Sequence, residues 1–400
     1  MIARNIVLFL LLLVLPYLYI DLRYFRRKKV WWKRVLLYVP CVAMVVYAIY
    51  LAMGRDFIPD NDHIFVLYGF LLLLGFVIVP QWTFILSSLI GKGCSKLVRK
   101  FKSPEQLLRP AKNYGNLAGI ASIPLIWGMV GWGSSFGFNK FEVNHIEYAS
   151  PELPKAFDGY KIALFSDAHV GSYQQHNSDV LKQAIDSINA QKPDLIVFTG
   201  DLQNKIPSEI LPVMDLLKSI KAKDGVYSVI GNHDYPMYFK GTEIEKYDSM
   251  NVRVALEEEL GWQLLVNERR SIRRGKERIL IAGMDNDGDG DHFPQNGDLQ
   301  ETLYGMSRND FVVMLEHDPS SWGRKILRHS HTQLTLSGHT HGGQLSFLGL
   351  SPASLKYRES YGLYHMDGRY LYVTSGLSGL IPFRFGIPAE IAVITLRKKK

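Results

Sequence analysis

Four long apolar stretches fill the first third of the chain, Ile6 to Ile20, Val35 to Met53, Ile64 to Ile90 and Leu117 to Phe138. A membrane-spanning helix needs about 20 apolar residues. The last three stretches meet that length; the first, shorter and interrupted by Pro16, is marginal. None shows the polar face at helical spacing that a soluble bundle requires. Nor does the first read as a cleaved leader, because Arg4 is a weak basic flank and no small-residue cleavage pattern follows. The pattern predicts an all-α transmembrane region with about four helices over residues 1–139, followed by a second domain over residues 140–400.

Beyond residue 140 the texture changes. Short apolar runs read as buried strands: Ile162 to Phe165, Leu195 to Phe198, Val226 to Ile230, Phe311 to Leu315 and Leu334 to Leu336. Residues 140–160 read as a linker and a first strand. Trp262 to Ile272, Ile279 to Met284, Tyr370 to Thr374 and Ile391 to Leu396 add further strands. Helical spacing marks Asp179 to Ala190, Ile210 to Ile220 and part of Glu243 to Leu260. Strands alternating with helices predict a mixed, layered α/β domain.

Charge bears on topology. The formal net charge is +8. Seven Lys/Arg lie between the first and second stretches (Arg23 to Arg34) and seven between the third and fourth (Lys92 to Lys112). Arg55 alone lies between the second and third. Positive-inside bias places the two basic loops in the cytoplasm. The expectation is a multi-pass cell-membrane protein whose C-terminal domain is extracytoplasmic, whether or not the first stretch spans. The basic surplus is then explained without nucleic acid, which is not expected as a partner. Both cysteines, Cys41 and Cys94, lie in the N-terminal third, which excludes thiolate catalysis in the second domain.

The candidate chemistry sits where strands stop. Five apolar runs end in polar residues: Asp167 and His169; Gly200-Asp201; Gly231-Asn232-His233-Asp234; His317; and Gly338-His339-Thr340-His341. In α/β sheets the ligand site lies beyond the strands' carboxyl ends. Oxygen and imidazole donors without thiolate suit Mn, Fe or Zn. Seven ligands, Asp167, His169, Asp201, Asn232, His317, His339 and His341, exceed one tetrahedral site. They fit two divalent metal ions sharing one carboxylate, an arrangement that clamps a phosphoryl centre and activates water between the cations. His233 is the candidate general acid to the leaving oxygen, with Asp234 fixing its tautomer.

In this order the motifs resemble those of the calcineurin-like metallophosphoesterase superfamily, and the likeness extends over about residues 140–400. The ending Pro382-Phe383-Arg384-Phe385 and Pro388-Ala389-Glu390-Ile391 is similar to bacterial membrane-associated members, loosely related to UDP-diacylglucosamine pyrophosphatases. The resemblance implies a four-layer double β-sandwich flanked by helices. It also implies that Asp167, His169 and His341 hold one metal, that Asn232, His317 and His339 hold the other, and that Asp201 bridges them. Two positions depart from the family pattern. Asn204 stands where a second Asp is common, and Ala168 replaces a larger apolar residue.

The expected activity is phosphoester or pyrophosphate hydrolysis, phosphodiesterase chemistry included, with manganese the first metal to consider and Fe or Zn as alternatives. Membrane attachment suggests a lipid-linked or cell-envelope substrate. The alternative is a non-catalytic membrane receptor that binds a phosphorylated ligand at a retained metal site. Several residues carry less signal. Asp285-Asn286-Asp287-Gly288-Asp289-Gly290 opens like a calcium loop but places Asn296 where a bidentate Glu belongs, so it reads as a mobile acidic loop beside the site. Arg384 is a candidate for substrate phosphate or for a structural salt bridge, and His176 and His292 are candidates to line a cleft. His329, His331 and His365 read as ordinary histidines. The Gly115/Gly119 and Gly133/Gly137 spacings read as flexible segment ends in preference to close helix packing.

Overall fold

The computed structural model describes residues 6–26, 31–53, 64–101, 112–173, 178–239, 241–379 and 381–399. The chain forms two compact units, Met1–Ser135 and Phe136–Lys400.

Among the described residues, four helices are long and apolar enough to cross a membrane, Val7–Phe25, Trp31–Met53, Phe65–Arg99 and Tyr114–Gly137, the last running two residues past the boundary of the first unit. The first stretch gains length because a π-helical turn, Asp21–Phe25, continues helix Ile6–Ile20. Asp21 is buried there, and Arg34 donates to both its oxygens, Nε at 2.7 Å and Nη2 at 2.6 Å. One member of the basic block is therefore held in a bidentate ion pair. The third stretch extends through Arg99, with a π-helical turn at Leu74–Ile78 just ahead of Pro80, whose ring and missing N–H disturb the helical ladder. The reading of Gly115 and Gly119 is corrected. A Cβ at Gly115 would lie 1.9 Å from the Ser87 carbonyl oxygen, and one at Gly119 would lie 2.9 Å from Phe84 Cα. These glycines let helix Tyr114–Trp132 pack closely on helix Val79–Arg99.

The second unit is built on twelve strands. They are β1 (Phe141–Ser150), β2 (Lys161–Phe165), β3 (Leu195–Phe198), β4 (Val226–Ser228), β5 (Gln263–Leu264) and β6 (Glu268–Arg274). The rest are β7 (Glu277–Gly283), β8 (Val312–Leu315), β9 (Leu334–Ser337), β10 (Gly362–Met366), β11 (Arg369–Val373) and β12 (Ala389–Lys398). One six-stranded sheet has the order β1-β12-β2-β3-β4-β5, the other β10-β11-β9-β8-β7-β6. Ile162, Leu164, Leu195 and Val197 from the first sheet share a buried core with Ile281, Val313, Leu315, Leu334 and Leu336 from the second. The alternate residues Ala163, Phe165, Ile196 and Phe198 face outward onto Leu181, Ile185 and Ile188 of helix Ser178–Ala190 and onto Leu256 and Leu260 of helix Glu243–Leu260. On the far side Leu280, Val312 and Met314 pack on Trp322 and Ile326. Helix, sheet, sheet and helix make the four-layer sandwich. Burial on both faces explains why β2, β3, β8 and β9 are continuous apolar runs.

Local differences from the sequence reading have local causes. Ile210 to Ile220 forms only a 3₁₀ turn, Leu211–Val213, and a five-residue helix, Met214–Lys218, because Pro212 interrupts the start. Glu243–Leu260 is helical throughout, opened by a capping box from Thr242 and Glu245 and closed by Gly261 at φ 75°. Strand β10 lacks a sequence signature because it is an edge, paired only with β11 among the described strands, and Tyr364 is its one side chain packed on the core.

Candidate metal centre

Parallel pairing of β2 with β3, β3 with β4, and β8 with β9 brings the motif-bearing turns within each sheet to one end. The turns are tight. Asp167, His169, Asp201, His339 and His341 all adopt positive φ, between 42° and 71°. For a non-glycine residue that conformation costs about 1–3 kcal/mol and persists only where the surroundings enforce it. Here backbone bonds enforce it: Asp167 N donates to Gly200 O at 2.9 Å and His169 N to Asp201 O at 3.1 Å. The glycines are demanded by close approach. A Cβ at Gly231 would lie 2.2 Å from Asp201 Oδ1, and one at Gly338 would lie 2.4 Å from Asp167 Oδ2.

All seven sequence-derived ligand candidates meet here. Ligand atoms within 4.8 Å of one another form three overlapping groups: Asp167, His169 and His341; His169, Asp201 and His233; and Asp201, His317 and His339. Asn232 joins the third, its Oδ1 lying 2.7 Å from His339 Nδ1 and 3.2 Å from His317 Nε2. Backbone carbonyls hold the outer nitrogens. Nδ1 of His169 meets Gln203 O at 3.2 Å, Nδ1 of His317 meets Thr199 O at 2.7 Å, and Nδ1 of His341 meets Ser378 O at 3.0 Å. A proton on Nδ1 of His169 and of His341 leaves their Nε2 lone pairs aimed inward, whereas His317 Nε2 lies 3.2 Å from Asp201 Oδ2 in an ion pair. His339 is reversed: Nδ1 faces the cluster and Nε2 meets the Tyr357 hydroxyl at 2.8 Å.

Electrostatics agree with this arrangement. Burial pushes the His169 imidazole well below its ordinary range and His341 down to about 4, which keeps both neutral. Burial opposes ionisation of Asp201, but the charges of His317 and His233 outweigh it and hold its carboxyl well below the usual range. Burial likewise opposes protonation of His317, but Asp201 overcomes it and lifts that imidazole to about 10. Buried His169 Nε2 has no hydrogen-bond partner among the described residues. The protonated His317 ring offsets one of the two carboxylates, and the inward lone pairs of His169 and His341 beside the other carboxylate and the Asn232 amide oxygen call for further positive charge. The donor set fits divalent cations.

The expected partnership of His233 and Asp234 is corrected. His233 Nδ1 faces the Asn204 carbonyl at 2.7 Å, not Asp234. Asp234 instead accepts from the backbone N–H groups of Asp201 at 2.8 Å, Leu202 at 3.0 Å and Gly231 at 2.9 Å, and from Arg253 Nε at 3.0 Å. It fixes the turns that carry Asp201 and Asn232. Asn204 sets His233 through its backbone, while its side chain meets Ser172 Oγ at 3.2 Å. Ala168 is fully buried among apolar neighbours.

Several contributors escaped the sequence reading. Tyr238 stacks on the His233 ring at 4.3 Å, and Asp318 Oδ2 lies 3.5 Å from His339 Nε2. Asp318 directly follows His317, the one hint of it available; Tyr238 and Tyr357 carried none.

Arg384 is also corrected. It is buried and donates to the carbonyls of Ser375 at 2.8 Å, Ser378 at 2.6 Å and Pro388 at 3.1 Å, so it braces the turn beneath His341 and makes no carboxylate ion pair among the described residues. In the acidic loop, Asp285 accepts from the Tyr235 hydroxyl at 2.7 Å and Asp287 is paired with Arg324 at 2.9 Å and Lys325 at 2.5 Å. The loop does lie beside the site, with Phe293 5.1 Å from the His339 ring, but the carboxylates of Asp285 and Asp287 are turned inward. His292 is exposed, and His176 lies outside the described residues.

The calcineurin-like phosphoesterase family profile matches residues 160–343. The chain is 34% identical over 279 residues to the uncharacterized metallophosphoesterase YkuE of Bacillus subtilis, covering 66% of this chain and 91% of that one. It is 26% identical over 364 residues to a transmembrane protein with metallophosphoesterase domain from Danio rerio, covering 88% of this chain and 78% of that one. A solved dimetal phosphatase from Danio rerio is more distant, with a TM-score of 0.34 and 12% identity, covering 56% of this chain and 89% of that chain. The chain belongs to the calcineurin-like phosphoesterase family. It is a metal-dependent phosphoric ester hydrolase whose N-terminal region carries four helices fit to cross a membrane.

Proposed function

We propose that this protein is a membrane-tethered, dinuclear phosphoesterase whose catalytic domain, residues 140–400, works on the extracytoplasmic side of the cell membrane after a transmembrane region of residues 1–139. Asp167, His169 and His341 would hold one cation, Asn232, His317 and His339 the second, and Asp201 both. The observation that carries this reading is the convergence of candidate ligand atoms around Asp201, with buried His169 Nε2 3.7 Å from Asp201 Oδ2 and without a hydrogen-bond partner among the described residues. Divalent cations, when bound, neutralise charge on the phosphoryl oxygens and make water nucleophilic at neutral pH.

The chain's own residues supply position and a proton. The Asn204 carbonyl accepts from Nδ1–H of His233, so the ring acts as general acid in its imidazolium form: Nε2–H passes its proton to the leaving oxygen and the neutral ring keeps the proton on Nδ1. Tyr238 stacks against that ring and limits its rotation. Asp201 Oδ1 accepts the His233 backbone N–H at 2.7 Å, which ties the acid to the shared carboxylate. Asp234 and Arg253 hold the turns and are positioning residues. The expected substrate is a lipid-linked or cell-envelope phosphoester or pyrophosphate, because the domain is tethered to a membrane.

The test is turnover by the full chain in detergent, supplied with manganese, against a monoester, a diester and a pyrophosphate. His233→Asn should lower kcat by about 10²–10⁴-fold while bound metal, measured by mass spectrometry, is unchanged. Full turnover by that variant would remove His233 from the mechanism.

A further inference from the structure

An apolar tip stands beside the metal centre, on the segment that follows His341. Phe347 is 62% exposed, Leu348 87%, Leu350 75% and Leu355 91%. Single exposed leucines are ordinary on protein surfaces; four large apolar side chains within nine residues mark a contact surface.

The tip is built rather than frayed. Phe347 and Leu350 exchange backbone hydrogen bonds, 2.9 Å and 3.0 Å, across a two-residue turn in which Leu348 has φ 52° and Gly349 φ 79°. A bulky side chain in the left-handed region is strained, and here it occupies the turn itself, with Leu348 87% exposed. The base is pinned: Ser346 N donates to Phe385 O at 2.7 Å, Phe385 N to Gln344 O at 2.9 Å, and Ser351 Oγ to Gly342 O at 2.6 Å. Leu355 ends a short turn, Pro352–Leu355, two residues ahead of Tyr357, whose hydroxyl meets His339 Nε2 at 2.8 Å. The exposed tip and the ligands thus share one continuous, hydrogen-bonded segment.

We infer that the tip Phe347–Leu350, with Leu355, inserts into the lipid bilayer and brings the metal centre to phosphoesters at the membrane surface. The same chain supplies the reason to choose a bilayer as the occupant. It carries four helices long and apolar enough to cross one, and only Phe138, Asn139 and Lys140 separate the last helical turn, Gly133–Gly137, from β1. Arg358, 79% exposed and three residues beyond Leu355, has its Nε 3.7 Å from Glu359 Oε1 and presents the rest of its guanidinium to solvent, a cation suited to headgroup phosphates. The inference rests on the proposed function for the chemistry, but the location of the tip can be measured without turnover.

The full chain, with Cys41 and Cys94 replaced by Ser, is placed in lipid nanodiscs and carries a nitroxide at Leu348→Cys or, as control, at exposed Tyr304→Cys. The Leu348 label should favour dissolved oxygen over a water-soluble nickel chelate several-fold more than the Tyr304 label does. Equal, water-like accessibility at both sites overturns the inference. Spin–spin broadening between copies also overturns it, by assigning the tip to a second protein chain. The double variant Leu348→Asp/Leu355→Asp should lose about tenfold or more of its turnover on a phosphoester carried by a lipid in the same nanodisc, and keep turnover of a soluble chromogenic phosphoester. Equal loss on both substrates overturns the inference, because the tip would then be supporting the site itself. If the unsubstituted chain hydrolyses neither substrate, the catalytic reading fails while the label depth still decides where the tip lies.

Discussion

The loop from Asp285 to Gly290 carries three carboxylates in six residues, denser in acid than any turn around Asp201. In the folded domain its chemistry is closed. Asp287 meets Arg324 and Lys325, Asp285 meets Tyr235, and Asp289 is exposed. Around Asp201 the reverse holds. Histidine nitrogens, an amide oxygen and carboxylates point at one another, and His169 Nε2, 3.7 Å from Asp201 Oδ2, has no hydrogen-bond partner among the described residues. A buried acid matched by fixed cations is structural, whereas buried acceptors aimed at each other need a charge from elsewhere. Acid density in the sequence does not separate the two; the direction of the lone pairs does.

The comparison breaks most sharply under paired substitutions. Asp201→Asn should abolish turnover and most bound metal. Asp287→Asn should leave both intact and cost about 1–3 kcal/mol of stability, since Arg324 and Lys325 are about a third exposed and stay hydrated. Metal analysis and thermal unfolding of the two purified variants check this. Loss of metal from Asp287→Asn would put the acidic loop in the site.

A third kind of buried carboxylate sharpens the contrast. Glu209 accepts N–H groups from Asn204 at 2.6 Å and Ile206 at 3.3 Å, and so supports the backbone whose carbonyl holds His233. Burial outweighs those bonds and lifts its carboxyl from 4.5 to about 7. The folded state therefore binds a proton more tightly than the unfolded chain. The stabilisation is fully present below about pH 4.5 and is lost as pH rises through about 7. Relative to Glu209→Gln, the unsubstituted protein should lose on the order of 3 kcal/mol across that window. Parallel pH profiles of the two curves would show instead that Glu209 does not titrate there.

Much of this was legible beforehand because strand-end motifs are local: Gly-Asn-His-Asp and Gly-His-Thr-His each carry the glycine that close approach demands and the ligands beside it. Burial on both sheet faces left its mark as unbroken apolar runs, so β2, β3, β8 and β9 were also readable. What failed depended on partners distant in sequence. Asp234 looked like a mate for adjacent His233, but its partners are backbone groups of Asp201, Leu202 and Gly231 with Arg253. Arg384 reads equally as a phosphate contact or a salt-bridge residue in the sequence, and its role in bracing the carbonyls of Ser375 and Ser378 is visible only in the fold. Edge strand β10 left no apolar pattern because Tyr364 is its one side chain packed on the core.

His339 supplies the finest test. It is the candidate ligand that turns Nδ1 inward, and its outer nitrogen meets a phenol, Tyr357, at 2.8 Å with Asp318 at 3.5 Å. Elsewhere in the cluster a backbone carbonyl does that work, and no side-chain substitution can remove a carbonyl. Tyr357→Phe therefore isolates what one outer hydrogen bond contributes to the orientation of a ligand. Such partners are typically worth about 10–100-fold in metal affinity or activity, and with Asp318 still beside the same nitrogen the lower end applies. The expected result is about tenfold weaker metal retention with an unshifted unfolding temperature. If Tyr357→Phe binds metal as the parent does while Asp318→Asn loses it, the carboxylate orients the ring and the phenol merely covers it.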